Sequence, residues 1–114
     1  MEYTNLSSIL EPDEGLFVLF GKKVSYEKII VTKKRFDNVF NLDANSINFA
    51  KLDVQGYELE VLKGMGGELD KLQGIMLEVN FDRFYACQAS YFEIIRYLHD
   101  HGFKRFYQVD KVIY

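Results

Sequence analysis

The sequence predicts an α/β domain with a mostly parallel sheet and crossover helices. Three observations carry that expectation. Apolar stretches at 47–54 and 75–81 read as strands. Helical patterns at 57–63 and 90–102 follow them, and a last apolar stretch, 103–114, reads as a strand or a tight hairpin around Asp110-Lys111. Strands separated by helical segments favour parallel pairing, because a parallel partner is reached only by a crossover.

The elements follow in order. Residues 1–15 are polar and end in Pro12-Asp13-Glu14-Gly15, a turn or a helix start with acids in its first turn. "LFVLF", 16–20, is too short and apolar to separate helix from strand. "EKIIVTKKRF", 27–36, is β-branched in its first half and reads as a strand. "DNVFNLDANSI", 37–47, is rich in Asn and Asp and reads as a short helix or turn. "INFAKLDV", 47–54, reads as a buried strand, and "YELEVLK", 57–63, as a helix stopped by Gly64. "GELDKLQG", 67–74, adds a helical turn or two. "IMLEVNF", 75–81, alternates, with Ile75, Leu77, Val79 and Phe81 on one face and Met76, Glu78 and Asn80 on the other. In "SYFEIIRYLHDHG", 90–102, Tyr91, Ile94, Ile95 and Leu98 share a helix face; Ser90 with Glu93 forms a capping box, and Gly102 ends it. No repeat or linker divides the 114 residues, so one domain is expected, with 1–46 leading into a β-α-β-α-β core over 47–114.

Composition excludes several classes. A net charge of −3 gives no reason to expect nucleic acid or an anionic membrane as partner. No window approaches 18 apolar residues, and the start "MEYTNLSSIL" lacks the basic and apolar regions of a secretory signal. A single cysteine, Cys87, makes no internal disulfide and belongs to no Cys/His cluster; it reads as a packed thiol in a reduced, cytoplasmic setting. The 18 Tyr and Phe residues are spread along the chain and suit core and subunit contacts.

The chemistry concentrates at the strand ends, where ligands of open α/β sheets bind. Asp53 ends one apolar stretch, and a carboxylate there costs free energy unless solvated or hydrogen-bonded. Gly56 permits a sharp turn and close ligand approach. Glu58 falls in the first helical turn, favoured there by the dipole alone, and points back toward the strand end. Glu78 sits inside "IMLEVNF" and needs a partner, a cavity or solvent. Glu60 reads as a solvated acid, "GMGG" (64–67) as a loop and cap rather than a phosphate cradle, and "KKRF" (33–36) as a solvated strand end. His99 and His101 are two apart, off a common face, and do not suggest a metal site. Tyr85 reads equally as cleft lining or packing.

At "FAKLDVQGYELEVLKG" the sequence resembles the FkbM-type family of S-adenosylmethionine-dependent methyltransferases. That family carries a hydrophobic-Lys-hydrophobic-Asp-Val-Glu/Gln-Gly-x-Glu run followed by Val-Leu-x-Gly. Lys51, Asp53, Val54, Gln55, Gly56, Glu58, Val61, Leu62 and Gly64 match it. "SSILEP", "EKIIVTKKRFDNVF", "IMLEVNFDRFY" and "EIIRYLHDHGF" look like flanking segments of the same family, so the resemblance covers nearly the whole chain. It implies a partial Rossmann-like methyltransferase fold, S-adenosylmethionine as cofactor, a small-molecule acceptor with a hydroxyl oxygen, and no metal. It implies Asp53, Glu58 and Glu78 as catalytic candidates, and Asp53, Val54, Gln55 and Gly56 as cofactor contacts. The family's glycine-rich turn and second-strand acid have no counterpart upstream of residue 47, so the chain is expected to be the C-terminal half of the family domain. Two readings stay open. One is a methyltransferase or a piece of one; the other is a non-catalytic remnant or interaction module that forms a homodimer or pairs with a chain carrying the missing half.

Overall fold

In a computed structural model of the chain, residues 27–79 and 88–109 are described. The element order is α1 (Phe36–Val39), β1 (Phe49–Leu52), α2 (Glu58–Met65), a 3-10 helix (Gly66–Lys71), β2 (Gly74–Leu77) and α3 (Tyr91–Asp100). The expected features at 12–20, Asn80, Phe81, Tyr85, Cys87 and Asp110-Lys111 lie outside the described residues.

β1 and β2 form a two-stranded parallel sheet with Phe49 beside Gly74, Ala50 beside Ile75, Lys51 beside Met76 and Leu52 beside Leu77. The connection between them is α2 and the 3-10 helix, so the parallel sheet with a helical crossover expected from the sequence is present. The expected strand at 47–54 is shorter and half-buried rather than buried. Ala50 and Leu52 pack on the core, whereas Phe49 (73% exposed) and Lys51 face outward. β2 alternates in the same way: Ile75 and Leu77, followed by Val79, meet the core, and Met76 is exposed.

The core is Leu59, Leu62 and Met65 of α2, Leu69 and Leu72 of the following turn, and Ile94 and Leu98 of α3. These are the i, i+3 positions of α2 and the i, i+4 pair of α3, so two helical stripes meet above one face of the sheet. Leu62 and Leu69 have no exposed surface.

Helix boundaries correct the sequence reading in one place. Gly64 does not stop α2, which runs on to bury Met65; Gly66 ends it instead, with φ 53° and ψ −131°, a region open to glycine alone. A Cβ at Gly66 would meet the Asp37 carboxylate, which would have to shift from its place beside Arg35. α3 follows its local signals: Ser90 Oγ accepts from Glu93 N at 3.2 Å. Gly102 N donates to His99 O and Phe103 N to Leu98 O, the crossed pair of a Schellman stop, with Phe103 packed on the core.

Two expected strands are absent from the described residues. Segment 27–35 is irregular, and Ile29, Ile30 (102% exposed) and Val31 point into solvent. β-branched residues supply propensity, but a strand requires an edge to pair with, and among the described residues the sheet edges stay unpaired. Residues 103–109 are likewise irregular, so the described core is β-α-β-α. Segment 33–35 is instead fixed by side chains. Lys33 Nζ donates to Tyr57 Oη at 3.0 Å, and Arg35 bonds Asp37 at 2.8 and 3.0 Å and reaches the Lys63 carbonyl. Segment 37–47 holds the expected short helix and turn. Asp43 accepts from Asn45 N and Ser46 Oγ, and Glu68 receives Leu42 N at 2.6 Å and Lys71 Nζ at 3.0 Å. Those donors hold the carboxyls of Glu68 and Asp43 below their ordinary values. Both therefore support the loop at neutral pH and release it on acidification.

Candidate functional site

Asp53 and Glu78 are the first residues past the carboxyl ends of β1 and β2. The register that pairs Leu52 with Leu77 makes them neighbours, and Glu78 N donates to Leu52 O at 3.3 Å across the gap. Strand alternation puts both on the face that carries Lys51 and Met76, away from the helices. The Glu78 carboxyl is raised above its ordinary value of 4.5, first by partial burial, then by its neighbours Asp53 and Glu58; Lys51 pulls the other way.

Glu58 is 4% exposed and is the only buried charged residue among those described. Its Oε1 accepts from Val54 N at 3.2 Å and Gly56 N at 3.4 Å. The chain from β1 to α2 passes through Gln55 at φ 50° and Gly56 at φ 96°, two consecutive left-handed residues. That path turns backbone N–H groups inward, and the Glu58 carboxylate receives them. Glu58 is therefore committed to the turn, whereas the helix dipole alone would leave it a free acid at a helix start. Replacing Glu58 by Ala strands two half-buried N–H groups and is expected to cost about 2 kcal/mol, whereas Gln keeps an acceptor and should cost about half that. Urea titration of the two variants separates these outcomes, and equal losses would contradict the assignment.

Gln55 adds a contact that the sequence reading did not anticipate: its Nε2 donates to Asp53 Oδ1 at 2.9 Å. The resemblance marks Gln55 only as a cofactor contact, and side-chain spacing gives no sign that it turns back on Asp53. Tyr57, held by Lys33 at 3.0 Å and with the ammonium 5.6 Å from its ring centre, closes the turn on the helix side. The structure thus gathers Asp53, Gln55, Glu58 and Glu78 at one sheet edge, with Val54 and Gly56 supplying backbone. Glu60 is exposed beside Lys63, His101 stacks on Tyr97 at 4.1 Å, and neither approaches this edge. Among the described residues, no group of three or more His, Cys, Asp or Glu side chains could hold a metal ion. No described helix is long and apolar enough to cross a membrane.

An open groove of about 490 Å³ lies elsewhere, lined by Leu69, Gln73, His101, Phe103 and Lys104. Gln73 precedes β2 and Glu78 follows it, so the groove and the acidic edge are at opposite ends of the strand.

The pH dependence of Glu78 has a definite sign. The folded chain binds its proton more tightly than the unfolded chain. Its contribution is fully present below about pH 4.5 and is lost as pH rises through the higher folded value. Glu78→Gln is therefore expected to raise the melting temperature at pH 7 and to leave it unchanged near pH 4, read by thermal melts at both. A lower melting temperature at pH 7 would contradict burial and the Asp53 charge as the cause of the raised value.

The fold and this edge define an α/β protein with acidic side chains at the carboxyl ends of its two described parallel strands. A family profile described as the methyltransferase FkbM domain matches residues 3–105. The chain belongs to the FkbM methyltransferase family. No curated protein and no solved structure matches it significantly.

Proposed function

We propose that the chain acts in S-adenosylmethionine-dependent methyl transfer to a hydroxyl oxygen of a sugar or other small metabolite. The observation that carries this reading is the placement of Asp53 and Glu78 side by side at the carboxyl ends of two parallel strands, in a chain of this family. An edge bearing Asp53, Glu58 and Glu78 against Lys51 suits a cationic or neutral ligand group and opposes an anionic one. Its carboxylate acceptors therefore fit the sulfonium and ammonium end of the cofactor. S-adenosylmethionine, when bound, supplies an electrophilic methyl group.

Asp53 and the 54–56 backbone would hold that end, and Asp53 would orient the acceptor hydroxyl and take its proton as the O–C bond forms. Glu78, whose charged form is disfavoured beside Asp53 and Glu58, would favour a cationic or proton-bearing group at this edge. Glu58 would hold the loop. A Rossmann-like continuation of the two-stranded sheet fits this reading, because parallel sheets are ordinarily covered on both faces. The division into a 1–46 leader and a 47–114 core is consistent with it. A single cysteine suits a cytoplasmic setting. Calorimetric titration with S-adenosylmethionine, with sizing by light scattering, tests the proposal. Micromolar binding supports it, and absence of binding by a defined dimer supports the interaction module instead.

A further inference from the structure

The described core lies on one face of the sheet, where Ala50, Leu52, Ile75 and Leu77 meet the helices. The opposite face is bare among the described residues, although parallel sheets are ordinarily covered on both. The strand register orders that face: Phe49 beside Gly74, Lys51 beside Met76, then Asp53 and Glu78 past the carboxyl ends. A Cβ at Gly74 would run into the Phe49 ring, so that ring leans across onto β2. Phe49 and Met76 are 73% and 66% exposed. The face is therefore apolar toward the amino ends of the strands and acidic at their carboxyl ends, with Lys51 between.

Lys33 Nζ donates to Tyr57 Oη at 3.0 Å, and Tyr57 stands between the 53–56 turn and α2. The chain before Lys33 therefore enters the described fold at the acidic end of the sheet. Ile29, Ile30 and Val31 point into solvent and leave the outer face uncovered. Read backward from there, the sequence runs through Lys23, Lys22 and Gly21 and then Phe20, Leu19, Val18, Phe17 and Leu16, all outside the described residues. Two cations come first and an uncharged apolar run after them. The face presents the complementary order, acids first and then Met76 and Phe49. Extended, residues 24–32 span at most about 30 Å, enough to bring Lys23 round the strand ends. We propose that residues 16–23 of this chain cover the outer sheet face, with 16–20 on Phe49 and Met76 and with Lys22 and Lys23 at Asp53 and Glu78. Burial of the apolar run stabilises the contact, and the lysines offset the like charges gathered at the carboxyl edge. The packing is independent of the proposed methyl transfer. Only its consequence, that a cationic ligand group displaces Lys22 and Lys23 from the edge, rests on that reading.

The test attaches a nitroxide to the full chain through Val18→Cys, with Cys87→Ser, and reads the carbon-13 methyl signals of the three methionines. Met76 lies on the outer face, whereas Met65 is buried in the core on the other side. Met76 is expected to lose most of its signal intensity to the label and Met65 far less. Adding Lys22→Glu and Lys23→Glu should restore much of the Met76 signal. Ser25→Cys, which leaves the apolar run intact, should also broaden Met76 ahead of Met65, and it carries the test if circular dichroism shows that Val18→Cys disturbs the fold. A Met76 signal as sharp as in the unlabelled chain, or broadened no more than that of Met65, overturns the proposal. So does broadening that appears when label and isotope are carried on different chains, which seats a second copy on the face. The readout uses no cofactor. Its failure leaves the proposed methyl transfer standing, and a chain that binds no S-adenosylmethionine but shows the broadening keeps the packing.

Discussion

Asp53→Asn is expected to lower methyl transfer by roughly 10²- to 10⁴-fold, the range for losing a positioned acid or base. The substitution is close to isosteric. Its side-chain oxygen still accepts from Gln55 Nε2, so the turn should keep its shape. What disappears is the negative charge. A carboxylate at position 53 would stabilise the positive charge that an acceptor oxygen gains on methylation and would receive its proton. The predicted signature is a fall in kcat with cofactor affinity changed far less. A fully active Asp53→Asn protein would remove Asp53 from the reaction.

Leu62→Ala is expected to cost about 3 kcal/mol, a large share of the roughly 5–15 kcal/mol that holds a domain of this size. Leu62 has no exposed surface and lies at the centre of α2, between Leu59 and Met65 on the same stripe. Its contacts join the helix that carries Glu58 to the face of the sheet that carries Asp53 and Glu78 on its other side. Chemical denaturation should show a lower midpoint with an unchanged slope. A loss under 1 kcal/mol would mean that the core closes around the vacancy, or that Leu62 is less central than its burial indicates.

Local signals in the sequence were legible. Ser90, Glu93 and Gly102 fix both ends of α3 because a cap needs only its own turn. The placement of Asp53 at a strand end followed from an apolar run meeting an acid. Signals that need a distant partner were not. Ile29, Ile30 and Val31 carry strand propensity but meet no edge, so the strand expected at 27–36 does not form among the described residues. Gly64 and Gly66 are equal stop signals locally, and only the burial of Met65 decides between them. At the site, the dipole explained an acid at position 58, yet the Glu58 side chain answers to the left-handed path of residues 55 and 56, which no residue type announces when the first of them is glutamine. Glu78 was recognisable as an acid in need of a partner, and the register named the partner.

That register is an integer: residue n of β1 lies beside residue n + 25 of β2, from Phe49 and Gly74 through Leu52 and Leu77. The integer places Asp53 beside Glu78. The crossover sets only how far apart the two acids lie along the chain, whereas the strand pairing sets their alignment in space. A single residue gained within either strand would move one of them to the opposite face of the sheet. Length variation should therefore fall between the two strands rather than within either, and the spacing of the two acids along the chain should drift while their alignment in space does not.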